Sequence, residues 1–130
     1  MGERVLGIGL DLTQTSRIAD AVEKHGQRFL DRIWLPDELA YCMANKNASV
    51  HLAARFAAKE AVSKAFGTGI GEHLGWLDME VRKGSRNEPL LVFHGKGKTL
   101  AEERGVTRAL LTLTHTSEHT AACCILIEQT

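Results

Sequence analysis

Phe56-Ala57-Ala58-Lys59-Glu60-Ala61-Val62-Ser63-Lys64-Ala65-Phe66-Gly67-Thr68-Gly69-Ile70-Gly71 is the stretch that decides the fold. Alanine, phenylalanine and valine supply a helix that packs closely on several sides, and Gly67 is its natural C-cap. The pattern predicts a helix from about Ala48 to Phe66, the longest in the chain. Glu60, Ser63 and Lys64 fall within one turn and are expected to project from a common face, presenting an acid, a hydroxyl and a base.

The 130 residues suit a single domain, 1–130, that buries a core without disulfides or a structural metal. Sixteen basic residues balance sixteen acidic ones, so no global field gathers nucleic acid or an anionic membrane, and a charged partner must meet a local patch. Cys42, Cys123 and Cys124 are an odd count with no C-x-x-C pair, which argues against a disulfide framework or zinc ribbon and for a reducing cytoplasm. If the run around Cys123 and Cys124 is a strand, the two thiols point to opposite faces as small hydrophobes. No signal or transit segment is recognisable and no stretch approaches the ~20 apolar residues of a membrane span, so a soluble protein is expected.

Residues 4–12, R-V-L-G-I-G-L-D-L, read as a strand in which Gly7 and Gly9 leave one face bare for another backbone. Thr13, Thr15 and Ser16 are candidate N-caps of a helix to about Lys24, which Gly26 stops. A short helical piece, 28–34, precedes a helix opened by Pro36, with Asp37 and Glu38 near its positive end. After the long helix, 77–82 and 90–93 form a hairpin across the turn 83–89. A helix over 96–104 closes at Gly105, and strands over 108–114 and 120–128 form a second hairpin. Helices early and hairpins late predict an α+β fold with a mainly antiparallel sheet and a long central helix. Gly7-Ile8-Gly9 lacks the third glycine of a dinucleotide fingerprint.

Glu60 and Lys64 alone read as a surface ion pair worth about 0.2–0.5 kcal/mol. Asp11 changes their weight. A carboxylate ending an apolar strand must cap a helix, pair with a cation or bind a metal. With Glu60 it makes two carboxylates from different elements, the set a magnesium ion takes when it keeps waters and completes its octahedron with substrate phosphates. Gly67, Thr68 and Gly69 resemble a phosphate loop but stand at the helix C-terminus, where the dipole disfavours anions. Their N–H groups would need a local concavity, with Lys64 beside it. His115 and His119 lack a third zinc ligand; Thr114, His115, Thr116 and Ser117 suit phosphate or ribose better. The other four histidines, His25, His51, His73 and His94, read as surface or helix-face residues. Arg17, Lys24 and Arg28 form a basic strip able to dock an acidic partner.

Three motifs resemble the holo-acyl-carrier-protein synthases, the small bacterial class of phosphopantetheinyl transferases. They are G-I-G-L-D-L with Arg17 beyond it, R-F-A-A-K-E-A-V-S-K-A-F-G-T-G-I-G, and L-T-H-T-S-E-H-T-A-A, which together span nearly the whole chain. The resemblance implies transfer of phosphopantetheine from coenzyme A to a serine of an apo acyl carrier protein, releasing adenosine 3′,5′-bisphosphate, in fatty acid biosynthesis. It implies Asp11 and Glu60 as ligands of Mg2+ and Lys64 at the reacting phosphate. Arg55, Ser63, Gly67, Thr68, Gly69, His115 and Thr116 are implied at the nucleotide end, and Arg17 at acidic residues of the carrier. It further implies a homotrimer with coenzyme A in clefts between subunits. Asn87-Glu88-Pro89 departs from the glycine and lysine usual before this proline, and Gly97 stands where alanine is expected, at about 1 kcal/mol if helical.

The expected mechanism has magnesium offset pyrophosphate charge while the carrier serine attacks phosphorus and Lys64 steadies the leaving phosphate; Asp11, Glu60 or a metal-bound water takes the proton. Two alternatives share the contacts: a magnesium-dependent nucleotide pyrophosphohydrolase, which lacks here a clustered acidic helix to activate water, and a non-catalytic coenzyme A binding subunit.

Overall fold

The computed structural model describes residues 2–130. In chain order it contains β1 (Glu3–Gln14), α1 (Thr15–His25), α2 (Gln27–Ile33), α3 (Pro36–Met43), α4 (Ala48–Phe66), a 3-10 turn (Trp76–Asp78), β2 (Met79–Lys83), β3 (Pro89–Phe93), α5 (Gly95–Arg104), β4 (Arg108–His115) and β5 (His119–Gln129). The sheets are antiparallel: β1-β5-β4 and the hairpin β2-β3. The α+β class and the central helix stand as expected. One cluster joins Ala57, Ala61 and Val62 of α4 to Ala122, Cys124 and Leu126 of β5. A second joins Leu52 and Ala53 to Ile18, Leu30, Ile33 and Trp34. Small residues nearly all round α4 let it serve both cores.

Gly7 and Gly9 do what their spacing implies. A Cβ at Gly7 would run into the carbonyl oxygen of Ala65, and one at Gly9 into that of Ala61, so α4 lies directly on bare strand backbone. Gly9→Ala must push the helix off the sheet, and we expect a loss of about 1–3 kcal/mol. An unchanged urea midpoint would refute this close approach.

Several local expectations are corrected. No side chain caps α1 at Gln14; Thr13 Oγ1 donates instead to Asp11 Oδ2 at 2.6 Å, and the Thr15 N–H bonds the Glu118 carbonyl. Asp11 is thus no helix cap. The strand expected from Leu77 starts two residues later, behind the 3-10 turn. Gly97 is no flaw in its helix, because a Cβ there would collide with the Asp78 carbonyl oxygen. Cys123 and Cys124 do point to opposite faces: Cys124 is fully buried, its thiol pushed up to about 12 by desolvation, while Cys123 lies on the outer face.

Glu38 and Lys59, which looked like ordinary helix charges, are fully buried as an ion pair of 2.7 Å. Lys59 Nζ also donates to the carbonyls of Ile33 (2.6 Å) and Trp76 (2.9 Å). Glu38 accepts the N–H groups of Leu35 and Val81 at 2.9 and 2.8 Å. Burial pushes the proton affinity of Lys59 down, opposed by Glu38. This node ties α2, α3, α4 and β2 together.

The outer face of the larger sheet is apolar and open. Ile8, Leu10 and Leu12 are about two-thirds exposed and oppose Ile125, Cys123 and Ala121, while Leu110 flanks Ile125 on the other side.

Candidate functional site

The sequence-predicted residues gather in two places. At the first, the end of β1 crosses the last turns of α4. Lys64 Nζ donates to Asp11 Oδ1 at 3.0 Å and to the Leu10 carbonyl at 3.1 Å. The Asp11 side chain is 12 % exposed and that of Lys64 50 %, so the pair sits at a rim. Glu60 stands beside them, and no salt bridge among the described residues engages it. Its carboxyl is raised above the ordinary value, first by desolvation and then by the charge of Asp11, against the pull of Lys64 and Arg17. Two carboxylates that repel each other while one lacks a cation fit a divalent ion. Among the described residues no third acid, histidine or cysteine joins them.

Ser63 does not share that face. It is fully buried and its hydroxyl donates to the Glu60 carbonyl at 2.7 Å, bracing the turn that carries Glu60. Gly67 caps α4 in the left-handed conformation, φ 80°. The N–H groups of Gly67, Thr68 and Gly69 all turn back to the Ser63 carbonyl at 3.0–3.2 Å, so the loop presents bare glycine surface and no anion nest. Nothing lies within 4 Å of a Cβ built at Gly67 or Gly69.

The second place lies on another side of α4. Arg55 and Glu60 are five residues apart, about 140° round the helix. A cleft of about 210 Å3 brings Arg55 to His115 and adds His51 and Lys83, with no acid in its lining. The Arg55 guanidinium, 3 % exposed, stacks 4.4 Å from the Tyr41 ring centre, and its Nε finds no partner. His51 is held below its usual proton affinity by desolvation, then by Arg55, Lys83 and His115. Thr116, beyond the cleft lining in the β4–β5 turn, accepts the N–H groups of Glu118 and His119 on its hydroxyl. Asn87, at positive φ 64°, and Pro89 line the cleft, so the departing turn does border it.

His51, Lys83 and Tyr41 were missed. His51 stands one turn before Arg55 on α4, a spacing that marks the shared face; Lys83 and Tyr41 come from other elements and left no such signal. On α1 and α2, Arg17, Lys24 and Arg28 are exposed, and Arg28 joins His25, Phe29, Ala21 and the unanticipated Arg32 around a groove of about 490 Å3. Its apolar floor and basic rim suit an acidic amphipathic surface.

A family model described as the 4′-phosphopantetheinyl transferase superfamily matches residues 7–124. The chain is 43 % identical over 122 residues to a holo-[acyl-carrier-protein] synthase of Koribacter versatilis, covering 94 % of this chain and 98 % of that one. It is similar to the crystal structure of the holo-[acyl-carrier-protein] synthase of Neisseria meningitidis, at TM-score 0.89 and 30 % identity, over 95 % and 98 % of the two chains. The Helicobacter pylori holo-[acyl-carrier-protein] synthase, solved in complex with coenzyme A, matches at TM-score 0.82 and 30 % identity over 92 % and 98 %. With its three motifs, its fold and its full-length relatives in agreement, the chain belongs to the 4′-phosphopantetheinyl transferase superfamily, among the holo-[acyl-carrier-protein] synthases.

Proposed function

We propose that this chain, acting as one domain over 1–130, transfers 4′-phosphopantetheine from coenzyme A to a serine of an apo acyl carrier protein. The observation that carries the reading is the pairing of a carboxylate–lysine cluster, Asp11, Glu60 and Lys64, with an acid-free cationic cleft at Arg55 and His115. The serine oxygen bonds to the phosphorus bearing the pantetheine arm. The bond from that phosphorus to the bisphosphate breaks, the hydroxyl proton passes to Asp11, Glu60 or a water, and adenosine 3′,5′-bisphosphate departs. Asp11 and Glu60 would hold Mg2+, which supplies charge neutralisation at the pyrophosphate when bound. Lys64, on the rim beside them, places its ammonium against the leaving phosphate. Ser63 braces Glu60 from behind, Gly67, Thr68 and Gly69 give the ligand a flat wall, and Arg55, His115 and Thr116 receive the nucleotide end.

The cluster and the cleft diverge around α4, so one coenzyme A reaches both most readily when a second copy contributes one of them. The open apolar face of Ile8, Leu10, Leu12 and Leu110 supports a homotrimer that buries it. Among the described residues no helix is long and apolar enough to cross a membrane, and the three thiols are unpaired, which suits the cytoplasm.

Incubation with coenzyme A, magnesium and an apo carrier should raise the carrier's mass by one phosphopantetheine group. Release of free phosphopantetheine with an unchanged carrier would instead indicate a hydrolase. Arg17, Lys24 and Arg28 are assigned to carrier docking. Arg17→Glu is expected to raise the carrier KM about tenfold, with coenzyme A affinity unchanged. An equal loss of both would contradict that assignment.

A further inference from the structure

Tyr41 has no place in the chemistry above, yet three side chains of the cationic cleft converge on its ring. The Arg55 guanidinium carbon lies 4.4 Å from the ring centre and Lys83 Nζ 5.4 Å. The His51 ring meets it edge-on at 5.5 Å and 88°. These groups come from α4 and from the end of β2, elements that share no backbone ladder. Mutual repulsion drives the Arg55 and Lys83 cations apart; the π face of the ring attracts both and offsets that tendency, while the His51 ring packs against its edge. Tyr41 is itself fixed. Glu38 lies one turn before it on α3 and is clamped by Lys59 and the Val81 N–H, which ties α3, the helix that carries Tyr41, to α4 and β2.

We propose that Tyr41 is a positioning residue for the anion cleft, an aromatic plate that holds Arg55, Lys83 and His51 convergent on the phosphate of the nucleotide end. The proposal rests on the reading of that cleft as the nucleotide site. The ring performs the task and the hydroxyl does not, since the hydroxyl makes no hydrogen bond among the described residues.

Calorimetry of adenosine 3′,5′-bisphosphate with the full-length chain tests it. Tyr41→Leu should bind about tenfold more weakly, and Tyr41→Phe within about twofold of the wild type. In turnover, Tyr41→Leu should raise the coenzyme A KM by a similar factor while kcat and the carrier KM hold within about twofold. A residue that merely stabilised the fold would not split these constants. Lys83→Met, at an exposed strand end, should weaken binding about threefold in the wild type and have no further effect beside Tyr41→Leu, because the plate holds the lysine. If leucine unfolds the chain, Lys83→Met carries the test alone, and undiminished binding overturns the proposal. So does a Tyr41→Leu chain that binds normally, or a Tyr41→Phe chain as weak as the leucine variant. A wild-type chain with no affinity for the bisphosphate would remove the nucleotide reading itself, and the plate with it.

Discussion

Glu60→Gln should lower single-turnover transfer to apo carrier protein by about a hundredfold to a thousandfold, and Lys64→Ala by a comparable factor. Glutamine keeps the shape but loses the charge that a cation needs, and alanine removes the ammonium beside the leaving phosphate. Near-wild-type rates for both would sink the assignment. Glu60→Gln should also leave the metal-free protein more stable near neutral pH. The carboxyl of Glu60 is raised in the folded state, so the fold binds its proton more tightly than the unfolded chain does. Stability linked to Glu60 is therefore full below the ordinary carboxylate pKa and is lost as pH rises through the raised one. Glutamine escapes that loss, so its advantage in urea should appear at pH 7 and vanish at acid pH. A site that costs stability when empty and is needed for turnover is a functional site.

Lys59→Ala should destabilise the chain by about 3–5 kcal/mol, the usual cost of leaving a buried carboxylate without its cation. The pair is wholly buried, at 2.7 Å, and ties α3 to α4. Adding Glu38→Leu should restore only part of the loss. Two N–H groups, of Leu35 and Val81, and two carbonyls, of Ile33 and Trp76, remain without their partners. Urea unfolding of the single and double variants decides this, and a single variant within about 1 kcal/mol of wild type would show that the node is dispensable.

Much of the architecture was legible because its causes are local. An alanine-rich run ending in glycine reads as a closely packed helix, and Gly7 and Gly9, alternating in a strand, mark where that helix lies. The hairpins follow from turn residues. What the sequence hid depends on contacts between distant segments. Lys59 next to Glu60 looks like one charged face, yet the first is buried against α3 while the second stands near β1. Ser63 has a helix-face spacing that suggests exposure, but its hydroxyl is turned into the backbone. Gly97 looked like a helix defect until Asp78 occupied the space a Cβ needs. Asp11, Glu60 and Lys64 were found together because an acid at a strand end needs a partner; His115 stood out through its donor-rich loop and Arg55 through the motifs, and their cleft opens on a different side of α4.

That separation makes a sharp experiment possible. Chains carrying Glu60→Gln and chains carrying Arg55→Ala, refolded together in equal amounts and given coenzyme A, magnesium and apo carrier, test whether the carboxylate cluster of one copy and the cationic cleft of another form a single site. Mass spectrometry should find the carrier loaded far faster by the mixture than by either variant alone. A mixture as inactive as its two parents would contradict a coenzyme A site built from two copies of this chain.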